Sequence, residues 1–366
     1  MRIFKYIKPL GFVIAVCAVN VLLSFMIEPM RGSSGTMWEE YYQEEELDTI
    51  FAGSSFCVAN FDPYIFDEQL GVKSFNMGTP LQAIEQTISA VETALEDHDI
   101  KTIVIGTGFF VFQEGAYEKA ELTFEKAKAR KAGGIEAFTK SLNYVLSEDV
   151  RGTEKSVKYW FPWLYNQEEV SLDFIGQNVA AKFENMKTKK MSGSDEVTGV
   201  SRKGYRFFEG VVDYTTAWEI NSYQYYNQTL EREQVERFQE LLTLCHSAGA
   251  DVIVINSPHP AYDVISCYET YAQSEAEVAA LCQSLGTDYY NFSLVKPEIF
   301  DAKSEYFYDF EHLNEEGAKT FSYSLCEFLE KRAAGEDMSN YFYSVDEYLA
   351  MHTDLLDEWK VMQQSK

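Results

Sequence analysis

The chain has 366 residues, enough for a large core, with 15% aromatic and 24% charged residues and a formal net charge of -27. That charge repels a polyanion and no basic groove interrupts it, which excludes nucleic acid as a partner. Six cysteines without C-x-x-C spacing exclude a zinc ribbon and a dithiol redox motif.

Arg2, Lys5 and Lys8 precede the apolar run LGFVIAVCAVNVLLSFMI at residues 10–27, broken only by Asn20 and Ser24. Its length meets the roughly 17-residue minimum for crossing a bilayer. Positive charge before the run and EEYYQEEELD after it predict a cytoplasmic N-terminus and an extracytoplasmic body. Residues 1–30 thus read as a cytoplasmic tip and transmembrane signal anchor, with a cleaved signal peptide as the alternative. Residues 31–46 read as a polar stalk.

From residue 47 the pattern alternates short apolar runs with amphipathic stretches. LDTIFAG reads as a first strand, VKSFNMG as a second, PLQAIEQTISAVETALED as a helix opened by Pro80, and KTIVIGTG as a third strand. The rhythm stops at about 109–228, which reads as an insertion or cap. It holds the charged helix YEKAELTFEKAKARKAGG, the aromatic cluster Tyr159, Trp160, Phe161, Trp163 and Tyr165, and a mobile-loop candidate at 187–204. The aromatic cluster admits two readings, packing or a stacking platform for sugars, and the lysine-rich pieces 119–131 and 187–190 read as solvated faces, with attraction of an anionic polymer as the alternative.

The rhythm resumes at Leu230 with a helix, the strand DVIVINSP, a helix through SEAEVAALCQSLG, the strand TDYYNFS and the late helix NEEGAKTFSYSLCEFLEKRAAG. Five strands with helices on both faces predict an α/β domain over 47–335, a doubly wound parallel sheet, followed by a helical tail at 336–366. Cys57, Cys245, Cys267, Cys282 and Cys326 read as buried thiols, with a Cys267–Cys282 bridge as the alternative in an oxidising compartment.

Sites in such sheets collect beyond the C-terminal strand ends. Those ends carry Ser54 and Ser55, then Gly78, Thr107 with Gly108, and His259. YFYDFEHLNEEGA, residues 306–318, adds Asp309 and His312 before the late helix, which Asn314 is placed to cap. A carboxylate three residues before a histidine can accept its Nδ1–H, fix the tautomer and stabilise the imidazolium. A serine at another strand end would complete a nucleophile, with Ser54 the fallback to Ser55. His259, between two prolines, reads as structural or as a substrate contact.

G-x-S at the first strand end, glycine after the second strand and D-x-x-H-L-N before the last helix resemble the SGNH (GDSL-like) hydrolase superfamily. GSS…DP and DxxHLNxxGA on an anchored chain resemble its DltD-like and AlgJ-like branch, over residues 47–113 and 229–331. The resemblance implies a flavodoxin-like sheet and an acyl-serine mechanism without metal or cofactor: Ser55 as nucleophile, His312 as base, Asp309 as its orienter. The backbone N–H groups of Ser55 and Gly78 would be oxyanion donors. The asparagine such enzymes place after the third strand is absent from IGTGFF, and Thr107 or a backbone N–H is the expected substitute. The implied function is a serine esterase or O-acyltransferase acting on a cell-envelope polysaccharide or teichoic-acid-like polymer, with a membrane-bound O-acyltransferase as partner. The competing expectation is a catalytically weak accessory protein of a surface-polymer acylation or export complex.

Overall fold

Five short strands form one all-parallel sheet in the order β2-β1-β3-β4-β5, the flavodoxin-like order. They are β1 (Thr49–Gly53), β2 (Ser74–Asn76), β3 (Thr102–Thr107), β4 (Asp251–Asn256) and β5 (Asp288–Asn291). The computed structural model describes residues 4–28, 33–113, 115, 117–166, 170–188, 203–212, 230–309 and 311–364. Most of the loop expected at 187–204 lies outside the described residues.

The helices are α1 (Phe4–Ile27), α2 (Ser33–Tyr41), α3 (Ser55–Val58), α4 (Pro63–Leu70), α5 (Ile84–Asp97), α6 (Glu118–Ala132), α7 (Gly134–Leu146), α8 (Glu154–Trp160) and α9 (Leu172–Thr188). Then follow α10 (Arg232–Ser247), α11 (Ala261–Ser266), α12 (Tyr268–Ser284), α13 (Glu315–Ala333), α14 (Val345–Met351) and α15 (Thr353–Gln364). They divide into two compact units, Met1–Thr36 with Glu118–Asp195, and Met37–Tyr117 with Glu196–Lys366.

The second unit holds the sheet. Its central strands TIFAG, TIVIGT and DVIVIN are apolar almost throughout because both faces are covered. Phe51, Val104, Ile253 and Ile255 share one core with Phe66 of α4 and Phe321 and Leu325 of α13. On the other face, Ile105 lines a small cavity with Ile84 of α5 and Phe238 and Leu241 of α10. Arg332, in the last turn of α13, clamps Asp251 at 2.7 Å and Asp288 at 2.6 Å, tying the starts of β4 and β5 together.

Three local outcomes differ from the sequence reading. The segment expected as a stalk contains α2, whose Met37, Trp38 and Tyr41 are buried, with Tyr41 Oη donating to Asp97 Oδ2 at 3.1 Å. The helix expected from Pro80 begins at Ile84. Thr79 Oγ1 donates to Gln82 Oε1 at 2.8 Å and holds a turn, and Gln86 Oε1 accepts the Ala83 N–H at 3.1 Å where the helix starts. Cys267 and Cys282 are both buried free thiols rather than a bridge.

The first unit is helical. α1 contains the apolar stretch Lys8–Ile27, 20 residues of mean hydropathy 2.6, long and apolar enough to cross a membrane. Polar side chains of α9 cap its end: Asn178 Nδ2 donates to the carbonyls of Met26 at 3.0 Å and Glu28 at 2.9 Å, and Lys182 Nζ to that of Phe25 at 2.7 Å. Tyr159 of the aromatic cluster is buried against Tyr144, and Trp163 Nε1 donates to Asn20 Oδ1 at 2.9 Å. These two rings take the packing reading.

Candidate active site

The site starts with a glycine. Gly53 ends β1 at φ +148°, paired with Gly106 of β3, and a Cβ on it would stand 2.0 Å from the Gly106 carbonyl oxygen. Only glycine lets the chain turn here so close to the neighbouring strand. The turn runs directly into α3, with Ser54 as N-cap and Ser55 as first residue.

The two serines part company at this point. Ser54 is 1% exposed, its carbonyl accepts the N–H groups of Cys57 and Val58, its hydroxyl is buried, and the residue lines the cavity beneath the sheet end. Ser55 is half-buried and its Oγ lies 2.8 Å from His312 Nε2. The fallback nucleophile therefore faces the interior, while Ser55 faces the histidine.

His312 and Asp309 come from one turn before α13. Asp309 Oδ1 accepts the backbone N–H groups of Glu311 at 2.8 Å and His312 at 2.7 Å, which folds the turn back so that its carboxylate meets His312 Nδ1 at 2.9 Å. Asn314 caps α13, its side chain accepting the Gly317 N–H at 3.0 Å. Nδ1 donates to the carboxylate, leaving Nε2 to accept the Ser55 hydroxyl hydrogen.

The electrostatics follow from these bonds. Burial opposes charge on His312, but the hydrogen bond and charge of Asp309, reinforced by Glu311, outweigh it and raise its pKa above the ordinary 6.5. Burial likewise opposes ionised Asp309, yet His312 and the two backbone donors hold its pKa below the usual value. Desolvation raises the Glu311 carboxyl above its usual range. Charge can therefore develop on the imidazole against a carboxylate already in place.

Three other expected residues are not brought to this chain. The Gly78 N–H, expected as an oxyanion donor, donates instead to Asn76 Oδ1 at 2.9 Å. Asn76 can hold it because its amide is itself fixed by the carbonyls of Cys57 and Phe61, both at 2.9 Å. Thr107 is buried at the end of β3, and its hydroxyl donates to the Gly108 carbonyl at 3.3 Å, with no hydrogen bond to Ser55 among the described residues. His259 is 3% exposed, held at Nδ1 by the Ser257 carbonyl at 2.8 Å and Ser293 Oγ at 3.1 Å. Burial, then the charge of His312, lower its pKa to about 4. The Ser55 N–H is at the first position of a helix, where an amide has no intrahelical partner.

No protein-family model matches this sequence, and no curated protein matches it. Solved structures to which the chain is similar include a protein assigned provisionally as an acylhydrolase from Bacteroides fragilis. Its TM-score is 0.37 at 10% identity, covering 81% of this chain and 95% of that one. A lipase/acylhydrolase from Enterococcus faecalis matches with TM-score 0.33 at 12% identity, covering 78% and 96%. Both likenesses are distant.

Two aromatic residues complete the site without a motif to announce them. Phe56, one residue after Ser55, stacks on the His312 ring at 5.3 Å between centroids. Phe208 packs on His312 at 5.2 Å and stacks on Tyr308 at 4.6 Å. The Phe208 segment is pinned by its own carbonyl accepting the Glu315 N–H at 2.9 Å and by the Val212 N–H donating to the Phe307 carbonyl at 2.9 Å. Phe208 lies in the stretch read from sequence as insertion, where no periodicity pointed to it; Phe56 gave a signal only by adjacency to Ser55.

Proposed function

We propose that the protein is an SGNH-type serine esterase or O-acyltransferase. The observation that carries this is the continuous chain Ser55 Oγ to His312 Nε2 at 2.8 Å and His312 Nδ1 to Asp309 at 2.9 Å. In this reading His312 takes the Ser55 proton as Oγ attacks an ester carbonyl, and Asp309 stabilises the imidazolium. The Ser55 N–H meets the oxyanion, His312 returns the proton to the leaving alcohol, and an acyl-serine remains. Water then completes hydrolysis, or a sugar or polyol hydroxyl completes transfer.

The finer reading is that the body is extracytoplasmic, anchored through α1, and acts on acyl esters of a cell-envelope polysaccharide or teichoic-acid-like polymer. A membrane-bound O-acyltransferase would deliver the acyl group. DFEHLNEEGA and the charge pattern around residues 10–27 support it, both as resemblance and as topology signals.

One observation favours the second reading, a catalytically weak accessory protein. With the Gly78 N–H donated to Asn76 the oxyanion has fewer donors, and loss of one donor costs about 10²–10³ in rate. Fluorophosphonate labelling with p-nitrophenyl acetate turnover separates the two. Labelling that disappears in Ser55→Ala and His312→Ala supports the enzyme; a folded protein that never labels supports the accessory role.

A further inference from the structure

We propose that α7, together with the exposed side of α9, lies in the lipid interface of the membrane that α1 crosses. The inference rests on the reading of α1 as a membrane span and adds to it a second, non-spanning element with the bilayer itself as its occupant.

The first observation is the composition of α7. Ile135, Phe138, Leu142 and Leu146 recur at spacings of three and four and form one stripe, 86%, 60%, 38% and 54% exposed. The helix is not loose: Tyr144 Oη donates to Glu121 Oε1 at 2.7 Å, and Ser141 Oγ accepts from Tyr159 Oη at 2.9 Å. Those bonds fix the polar and small side of α7 inward, so the apolar stripe is turned outward by construction. A helix about 20 Å long cannot span a bilayer, but with one strongly apolar face it suits the headgroup boundary.

The second observation sets the depth. Lys8–Val19 of α1 is exposed throughout, about 18 Å of helix, whereas Asn20 and Leu23–Glu28 are partly covered by their own unit. A hydrocarbon core of about 30 Å needs the whole stretch Lys8–Ile27. The residues that cover its last part must then share that depth. Trp163 donates to Asn20 Oδ1 and Asn20 Nδ2 to the Trp160 carbonyl, both at 2.9 Å, which removes the one amide of the span from lipid. Phe183 packs edge-on against Phe25 at 5.7 Å. Tyr144 of α7 packs on Tyr159, the residue before Trp160, so α7 is joined to the span through Tyr159 and Trp160.

The third observation is that the same unit leaves Leu172 89%, Met186 71% and Phe183 53% exposed on α9, the helix that caps α1. Against water these side chains and the α7 stripe form an unfavourable apolar surface, whereas against acyl chains they cost nothing.

The test uses the full chain in phosphatidylcholine/phosphatidylglycerol vesicles with the fluorophore NBD on single cysteines. Cys17→Ser removes the one exposed native thiol. Labels go on Phe138→Cys and Leu146→Cys in the stripe, on exposed Asn143→Cys at its flank, and on Val13→Cys in α1. Brominated lipids should quench the labels at 138 and 146 at least twofold with blue-shifted emission, and quench the label at 143 less than half as much. Quenching at 13 with 138 and 146 behaving like 143 overturns the proposal while leaving the span intact. A blue shift at 138 without quenching overturns it in favour of a protein covering the stripe. Absence of quenching at 13 removes the span, and this inference with it.

Discussion

His312 and His259 both touch Phe56, at centroid distances of 5.3 and 4.9 Å, yet their surroundings push them in opposite directions. Around His312 the turn supplies a carboxylate at 2.9 Å, itself fixed by two backbone N–H groups, and the pKa rises. Around His259 the chain supplies a carbonyl and a hydroxyl, the nearest Asp263 oxygen is 4.0 Å away, and burial lowers the pKa to about 4. A ring becomes a base when a fixed carboxylate accepts from it and a serine lies on its far nitrogen; without these, proximity to the same site makes it packing.

The two serines give the largest expected difference. Ser55→Ala should lower ester turnover by about 10⁴ or more and abolish fluorophosphonate labelling, because the attacking atom is gone. Ser54→Ala, one residue away but facing the interior, should leave turnover within about threefold. Equal losses in both would put the nucleophile assignment aside. Next in size is Asp309→Asn, which removes the charge from the His312 side of the contrast while keeping the shape. A loss of about 10²–10⁴ in kcat is expected, since the imidazole loses both its tautomer control and its stabilised charged form.

The raised pKa of His312 also makes turnover depend on pH. Reaction needs neutral His312, so kcat/KM for p-nitrophenyl acetate should rise with pH through a single ionisation whose midpoint lies above the ordinary 6.5. Glu311→Gln removes a negative group that raises His312 and should move the midpoint down while retaining most of the limiting rate. The sign for stability is the converse. A raised folded pKa contributes stability that is full below the unfolded value and is lost as pH rises through the folded one. An unmoved midpoint in Glu311→Gln would mean that Asp309 alone sets the base.

What could be read from the residues followed how local the interaction is. The five strands were legible because a parallel sheet covered on both faces makes TIFAG, TIVIGT and DVIVIN apolar almost end to end. Asp309, His312 and Asn314 were legible because bonding within one turn leaves a fixed spacing. Phe208 was not: it reaches His312 through a segment about a hundred residues earlier, and nothing in its neighbourhood repeats. The engagement of Gly78 was hidden for a different reason. It depends on the rotamer of Asn76, set by carbonyls of Cys57 and Phe61, and spacing does not encode a rotamer.

The smallest effect on activity, and a test of the other half of the comparison, belongs to His259. A histidine whose folded pKa is depressed contributes stability that is present above the unfolded value near 6.5 and is lost as pH falls toward about 4. Burial must then be surrendered to charge the ring, and by linkage the loss by pH 4.5 is about 2–3 kcal/mol. His259→Phe keeps a ring beside Phe56 but cannot titrate. It should therefore be less stable than the wild type at pH 7, because the bond to the Ser257 carbonyl is gone, and should narrow that gap on acidification. Urea unfolding of the detergent-solubilised full chain at pH 7 and 4.5 reads the difference, with ester turnover at pH 7 staying within a few-fold. A gap that stays constant between the two pH values would show that His259 protonates as readily in the folded protein as in the unfolded chain, and that the contrast with His312 lies in geometry rather than in charge.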